Sequence, residues 1–295
     1  MSRGPGGGRR PPPGPGWSLL VVGALLLRGA LGLGHLRGVE LQRHRDVGGA
    51  VFAFRDSRKP RTWLLGSPTA FAVRRALAPT FGWVAIAAGY FLFVGAMIAA
   101  ILRFFAENPR FPELASAAGF SGLETANGLA AALFQLLAVV AGLYAATRIA
   151  TLAADESARR WTSLLALPLS RARLAGTEIL VTVTGCLLVL VSAACALWAG
   201  AALGGAELGL PEAVAGALNV APIAFLGAGA ATAALGSFPR HVGAIGAIPV
   251  LGGFVLDAVA QSVAAPEWVS ELSPFAHLAP VPTSSPDWPA SLVLT

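Results

Sequence analysis

The most informative group of charged and reactive side chains in this sequence runs from Asp155 to Arg173. It holds an acidic pair, Asp155-Glu156, a basic pair, Arg159-Arg160, and then Trp161, Leu164, Leu165, Pro168, Ser170, Arg171 and Arg173. Trp161, Leu164 and Leu165 stand at i, i+3 and i+4, the spacing of one helical face. Pro168 biases Leu167 out of the α region, so a helix ends there; Ser170 has the side chain to cap the next one. The expectation is a short amphipathic helix, a sharp turn and a new helix. A solvated basic loop held at a membrane surface by Trp161 fits the same spacing. Asp155 and Glu156 are better placed for a contact with another protein than for acid–base work.

Asp257 is the one charge in the apolar run Val242 to Ala264, and ionisable groups inside membranes often mark ion or proton paths. It lies 16 residues beyond His241. At about 1.5 Å per residue that places it about 24 Å across a core of roughly 30 Å. The expectation is a carboxylate reaching outward or capped by a neighbouring helix. Cys186 and Cys195 lie nine positions apart in another apolar run, hence about 180° around a helix and about 13 Å along it. They have no means of pairing within it. Gly200 and Gly204 form a GxxxG pattern, which permits close helix packing.

Other chemistry lacks its residues. A phosphate-binding loop needs Gly-Lys before Ser or Thr, whereas the sole lysine, Lys59, stands between Arg58 and Pro60. Any ATP-driven role must therefore draw its ATPase from another chain. The four histidines, His35, His44, His241 and His277, do not cluster with the cysteines, so no metal or other cofactor is expected. No serine nucleophile elbow, HExxH motif or carboxylate pair within an apolar run supports an enzyme.

These residues sit in a chain that is 55% hydrophobic and 12% charged, against roughly 25% charged in an ordinary soluble domain. That excludes a soluble globule. Disorder is excluded by the apolar content, and two cysteines do not make a disulfide scaffold. Four runs carry no charge: Ala76 to Leu102 (27 residues), Thr125 to Thr147 (23), Ile179 to Ala206 (28) and Ala213 to Pro239 (27). Each exceeds the roughly 20 residues that cross a bilayer as a helix. The predicted architecture is all-α, a polytopic transmembrane bundle of five or six spans. The spans fall at about 80–102, 126–147, 179–203, 213–236 and 242–264, within a membrane domain of residues 76–295. Residues 17–36 are a possible first span interrupted by Arg28, preceded by a disordered Gly/Pro/Arg tail at 1–16.

Lys and Arg are retained on the cytoplasmic side of short loops. Nine fall in 37–75, two in 103–124, five in 148–178, none in 207–212, one at Arg240 and none after 264. The alternation places the basic loop 37–75 and the segment 148–175 in the cytoplasm. It also turns a net charge of +6 from a possible nucleic-acid signal into a topology signal; no nucleic-acid partner is expected. The three arginines among the first ten residues would lie outside if 17–36 crosses, so either that segment does not span or the native protein starts elsewhere.

Leu164-Leu165-Ala166-Leu167-Pro168-Leu169-Ser170-Arg171, after Asp155-Glu156 and Arg159, resembles the cytoplasmic signature of type 2 ABC exporter permeases: an acidic pair, an arginine, then Leu-Leu-Ala-x-Pro-Val-Ser-Arg. Thr162 stands where a glutamate is usual, and the glycine before the first arginine is not at its place. Arg45-Asp46-Val47-Gly48-Gly49-Ala50, Leu65-Gly66-Ser67-Pro68, and Ser273-Pro274-Phe275 with Asp287-Trp288 narrow the likeness to the permeases described as exporters of polyketide antibiotics. Members usually have twelve spans in two halves. This chain is similar to the stretch from the sixth span to just before the twelfth.

The resemblance implies that Asp155, Glu156, Arg159, Arg160, Trp161, Leu164, Leu165, Pro168, Ser170 and Arg171 form a coupling helix seated on an ABC ATP-binding subunit, which binds the ATP. It further implies a multi-pass protein of the cell membrane, in contact with lipid and with a second permease half or copy. A hydrophobic antibiotic or drug would pass between the halves. From another class, a secondary transporter or a non-transporting membrane scaffold fits the composition, and proton coupling there would require Asp257.

Overall fold

Where the first described membrane helix begins is set by Ser67 and Pro68. The Ser67 side chain accepts a hydrogen bond from the Ala70 N–H at 3.1 Å, and Pro68 occupies the first turn, where no donor is needed. In the computed structural model, which describes residues 63–64, 66–117, 122–158, 171–263 and 265–284, helix α1 therefore runs over Pro68–Glu107. The chain divides into two units, and the second, Thr62–Thr295, holds every described residue. Within the segment expected as a basic cytoplasmic loop, 37–75, residues 68–75 are helical. The 40 residues of α1 make a rod of about 60 Å, twice the hydrocarbon thickness.

After α1 come α2 (Arg110–Ala117), α3 (Ala126–Ser157) and α4 (Arg171–Gly204). Thr125 caps α3 by accepting from the Gly128 N–H at 3.0 Å. The expected cytoplasmic segment 148–175 is thus helical at both ends, over 148–157 and 171–175, and its middle, 159–170, lies outside the described residues. The run expected to be one span at 213–236 is two helices, α5 (Leu210–Asn219) and α6 (Ala221–Ser237). Pro222 lacks the N–H that would have bonded to the Leu218 carbonyl, so the ladder breaks there. The last span is α7 (Val242–Ala247), a π-helical turn at Ile248–Gly252 containing Pro249, and α8 (Gly253–Ser262). Five stretches are long and apolar enough to cross a membrane, and no strand occurs among the described residues. The protein is an all-α, polytopic transmembrane bundle.

Two packings organise it. Helices α1 and α4 meet backbone to backbone: a Cβ added at Gly200 would lie 2.2 Å from the Leu92 carbonyl oxygen, at Gly204 2.3 Å from that of Ala96, and at Gly95 2.4 Å from that of Leu197. Such approach gains dispersion contact where hydrocarbon offers no hydrophobic drive. Helix α3 lies at the centre, with Phe134, Leu137, Tyr144 and Ile149 fully buried. Outward faces are apolar instead of charged, as at Phe81, Ile86, Phe93, Leu188, Val255 and Val259, the reverse of a water-soluble surface and the arrangement a lipid solvent selects.

At the predicted outer end the chain folds back on itself through α9 (Glu267–Glu271) and a 3₁₀ turn at Pro274–His277. Ser273 is fully buried; its hydroxyl donates to the Gly253 carbonyl at 3.0 Å and accepts from the Phe275 N–H at 3.1 Å. Gly253 is at the start of α8, so the returning segment reaches down most of that helix. Irregular backbone is tolerated at this depth because protein covers it.

Candidate functional site: an ion-pair cluster joining three helices

Each of Arg75, Arg148 and Glu178 adjoins a charge-free run. Arg75 precedes Ala76, Arg148 follows Thr147, and Glu178 precedes Ile179. Folding the bundle brings them together. Arg75 Nη1 lies 2.7 Å from Asp155 Oδ2, Arg75 Nη2 lies 2.8 Å from Glu178 Oε1, and Arg148 Nη2 lies 3.2 Å from Glu178 Oε2. The result is a chain of four charges, Asp155–Arg75–Glu178–Arg148, with one link from α1, two from α3 and one from α4.

Burial is deepest at its Glu178–Arg148 end. The side chains of Glu178 and Arg148 are 4% and 5% exposed, those of Arg75 and Asp155 22% and 19%. An arginine alone in a membrane-spanning helix costs about 2.5–3.5 kcal/mol. Here two guanidinium groups face two carboxylates and the charge balances. The Glu178 carboxylate uses one oxygen for each arginine, so it links both α1 and α3 to α4. Nothing in this set is poised for acid–base or nucleophilic chemistry; what it provides is a rigid connection.

Above the cluster the polar path continues on α3. The Tyr144 hydroxyl, one turn from Arg148, shares a hydrogen bond of 2.7 Å with the Thr80 hydroxyl of α1. Trp83 packs its ring edge against Tyr144 at a centroid distance of 6.2 Å. Gly185 of α4 makes room, since a Cβ there would stand 1.9 Å from the Tyr144 oxygen.

Of the residues singled out in the sequence, Asp155 joins the cluster. Glu156 is exposed and borders a cavity of about 540 Å³ at the ends of α3, α4 and α6. Arg171 opens α4. Arg159, Arg160, Trp161, Leu164, Leu165, Pro168 and Ser170 lie outside the described residues, as do 1–36, Lys59, the Arg45 to Ala50 stretch and Asp287-Trp288. Asp257 is buried, at 6% exposed, and its Oδ2 accepts from Gln261 Nε2 at 2.6 Å, four residues nearer the predicted outer end. The partner is one turn along the same helix, not on a neighbouring one. Both cysteines are free, Cys186 buried and Cys195 exposed, and the Cys186 thiol points to the Ala141 carbonyl at 3.7 Å.

Arg75, Arg148 and Glu178 were used above only to bound spans. Their signal was present in their positions, since opposite charges flanking adjacent runs belong to the same membrane face. A family model described as multidrug efflux system permease Rv1217c, C-terminal domain, matches residues 65–295. The chain belongs to that family. Among curated proteins no relative matches. The matched region of this efflux permease begins two residues before the Ser67 cap and takes in all five membrane-spanning stretches. Family and helices together make it a multi-pass membrane transporter component, one part of an efflux system.

Proposed function

We propose that this efflux permease is the membrane-spanning component of a type 2 ABC exporter in the cell membrane. A separate ATP-binding subunit powers it, and it moves hydrophobic antibiotics or drugs. The observation that carries this reading is the position of the ion-pair cluster at both ends of the 159–170 segment. Asp155 stands just before that segment and Glu178 just after it, and both are bound to Arg75. A displacement delivered there by a partner is passed at once to α1, α3 and α4.

The sequence supports the division of labour, since it contains no phosphate-binding loop and carries the Leu164-Leu165-Ala166-Leu167-Pro168-Leu169-Ser170-Arg171 signature. ATP binding by the partner would rock this segment, and the three clamped helices would then tilt as a unit against a second permease half or copy, alternating access for the substrate between them. No covalent chemistry by this chain is involved. Replacing Leu164 and Leu165 by Asp removes the apolar contact face. That variant is expected to insert in the membrane in normal amounts, to lose the co-purifying ATP-binding subunit and to lose export. Export at the wild-type rate would contradict the coupling role.

A further inference from the structure

Toward the predicted cytoplasmic end α1 and α4 part and leave a groove of about 410 Å³, lined by Val73, Leu77, Thr80, Leu180, Thr184 and Leu188 among others. Its far end is closed where the Gly95, Gly200 and Gly204 contact brings the two backbones together. The volume is within the range of pockets that hold drug-sized molecules, roughly 300–1,000 Å³. The walls are aliphatic, and the polar groups along them are threonine and serine hydroxyls.

Thr80 differs from the other membrane threonines. Thr182, Thr184 and Thr232 each return the hydroxyl to the carbonyl four residues earlier, at 2.8, 2.9 and 2.8 Å. The Thr80 hydroxyl bonds instead to Tyr144. Two hydroxyls carry two protons and share one hydrogen bond, so one O–H remains to be placed. Tyr144 is fully buried, whereas Thr80 lines the groove. With the phenol donating to Thr80, the remaining O–H is that of Thr80, on the groove wall. A buried donor left without an acceptor costs about 1–3 kcal/mol, and an occupant with an acceptor removes that cost.

We propose that this groove binds an apolar small molecule carrying one hydrogen-bond acceptor, such as an aryl ketone or ester, with the acceptor on the Thr80 hydroxyl. A phospholipid tail fits the walls less completely. Thr80 lies five residues beyond Arg75, about 7–8 Å further along α1, so a lipid whose headgroup is level with the ion pairs sets only methylenes against the hydroxyl. Thr80 is bonded to Tyr144, and Tyr144 stands one turn from Arg148 on α3, which places a ligand site next to the connection between the helices. That such an occupant is transported cargo rests on the exporter reading; that it binds does not.

The test uses the full chain in phosphatidylcholine nanodiscs, titrated with 6-propionyl-2-(dimethylamino)naphthalene, an aryl ketone whose emission shifts on leaving water. Its 6-propyl analogue, which lacks the carbonyl, is run alongside. Saturable binding of the ketone is expected. Thr80→Val should weaken it about tenfold, the loss of one hydrogen bond, while leaving the propyl analogue within about twofold. Leu188→Trp, or Thr184→Trp if the first variant is not monodisperse, fills the groove from its exposed wall and should abolish binding of both. The proposal is overturned by ketone affinity that is the same in Thr80→Val and Leu188→Trp as in the native chain, or by equal weakening of both probes in Thr80→Val. Saturation in detergent that vanishes in nanodiscs also overturns it, because lipid is then the occupant. Co-purification of the ATP-binding subunit, measured on the same variants, reports on the exporter reading separately.

Discussion

Glu178 joins α4 to two other helices, since its two oxygens face guanidinium groups on α1 and α3. Removing one partner of a buried pair leaves the other charge uncompensated, at a cost of roughly 3–5 kcal/mol, whereas replacing a whole buried pair by apolar groups is often neutral. Glu178→Gln is therefore expected to lower the thermal unfolding midpoint of the purified permease markedly. The double variant Glu178→Met with Arg148→Met should recover much of the loss but not the export activity, because the helices pack without being tied. A Glu178→Gln protein as stable as the native one would show that the cluster carries no net energy. These charges were legible in the sequence as span boundaries, yet their pairing was not. Partners lie 30 and 80 residues apart in Arg148–Glu178 and Arg75–Asp155, and only the packing of the helices decides which boundary charges meet. Asp257 shows the same limit: its depth followed from counting, but its burial and its Gln261 partner depend on neighbouring helices.

At the scale of elements, the spans were visible because charge-free length is a direct measure of what crosses hydrocarbon. The helix ends were less so, since capping residues such as Ser67 and Thr125 decide them and a hydropathy count ignores caps. The break at Pro222 and the π turn at Pro249 were signalled by proline, but apolar length alone treats both stretches as uniform. Gly200 and Gly204 were recognisable as a close-packing pattern, while their opposite number, the Leu92 to Ala96 turn of α1, is specified only by three-dimensional register. This gives a sharp contrast within α4. Gly200→Val forces a side chain against the Leu92 carbonyl and should cost about 1–3 kcal/mol or more. Gly176→Ala faces open space and should be neutral or raise stability by about 0.5–1 kcal/mol. Unfolding midpoints of the two purified variants, compared with the native protein, check this; equal midpoints would mean that α1 and α4 do not meet through their glycines.

Across the whole molecule, the ends of α1, α3 and α4 that the positive residues place in the cytoplasm are the ends that the ion pairs tie together. The segment between α3 and α4 thus joins helix ends that, with α1, are tied to one another by ion pairs. A polar path then leads inward from those ends, through Arg148 and Tyr144, to the groove between α1 and α4. The central claim is that a partner's ATP cycle drives this assembly. It is tested most directly by reconstituting the permease with its ATP-binding subunit in sealed vesicles and following uptake of a fluorescent hydrophobic drug into the inside-out fraction. The account predicts uptake that requires both the subunit and hydrolysable ATP and is indifferent to a proton uncoupler. Uptake by the permease alone, driven by a pH gradient and lost in Asp257→Asn, would contradict it.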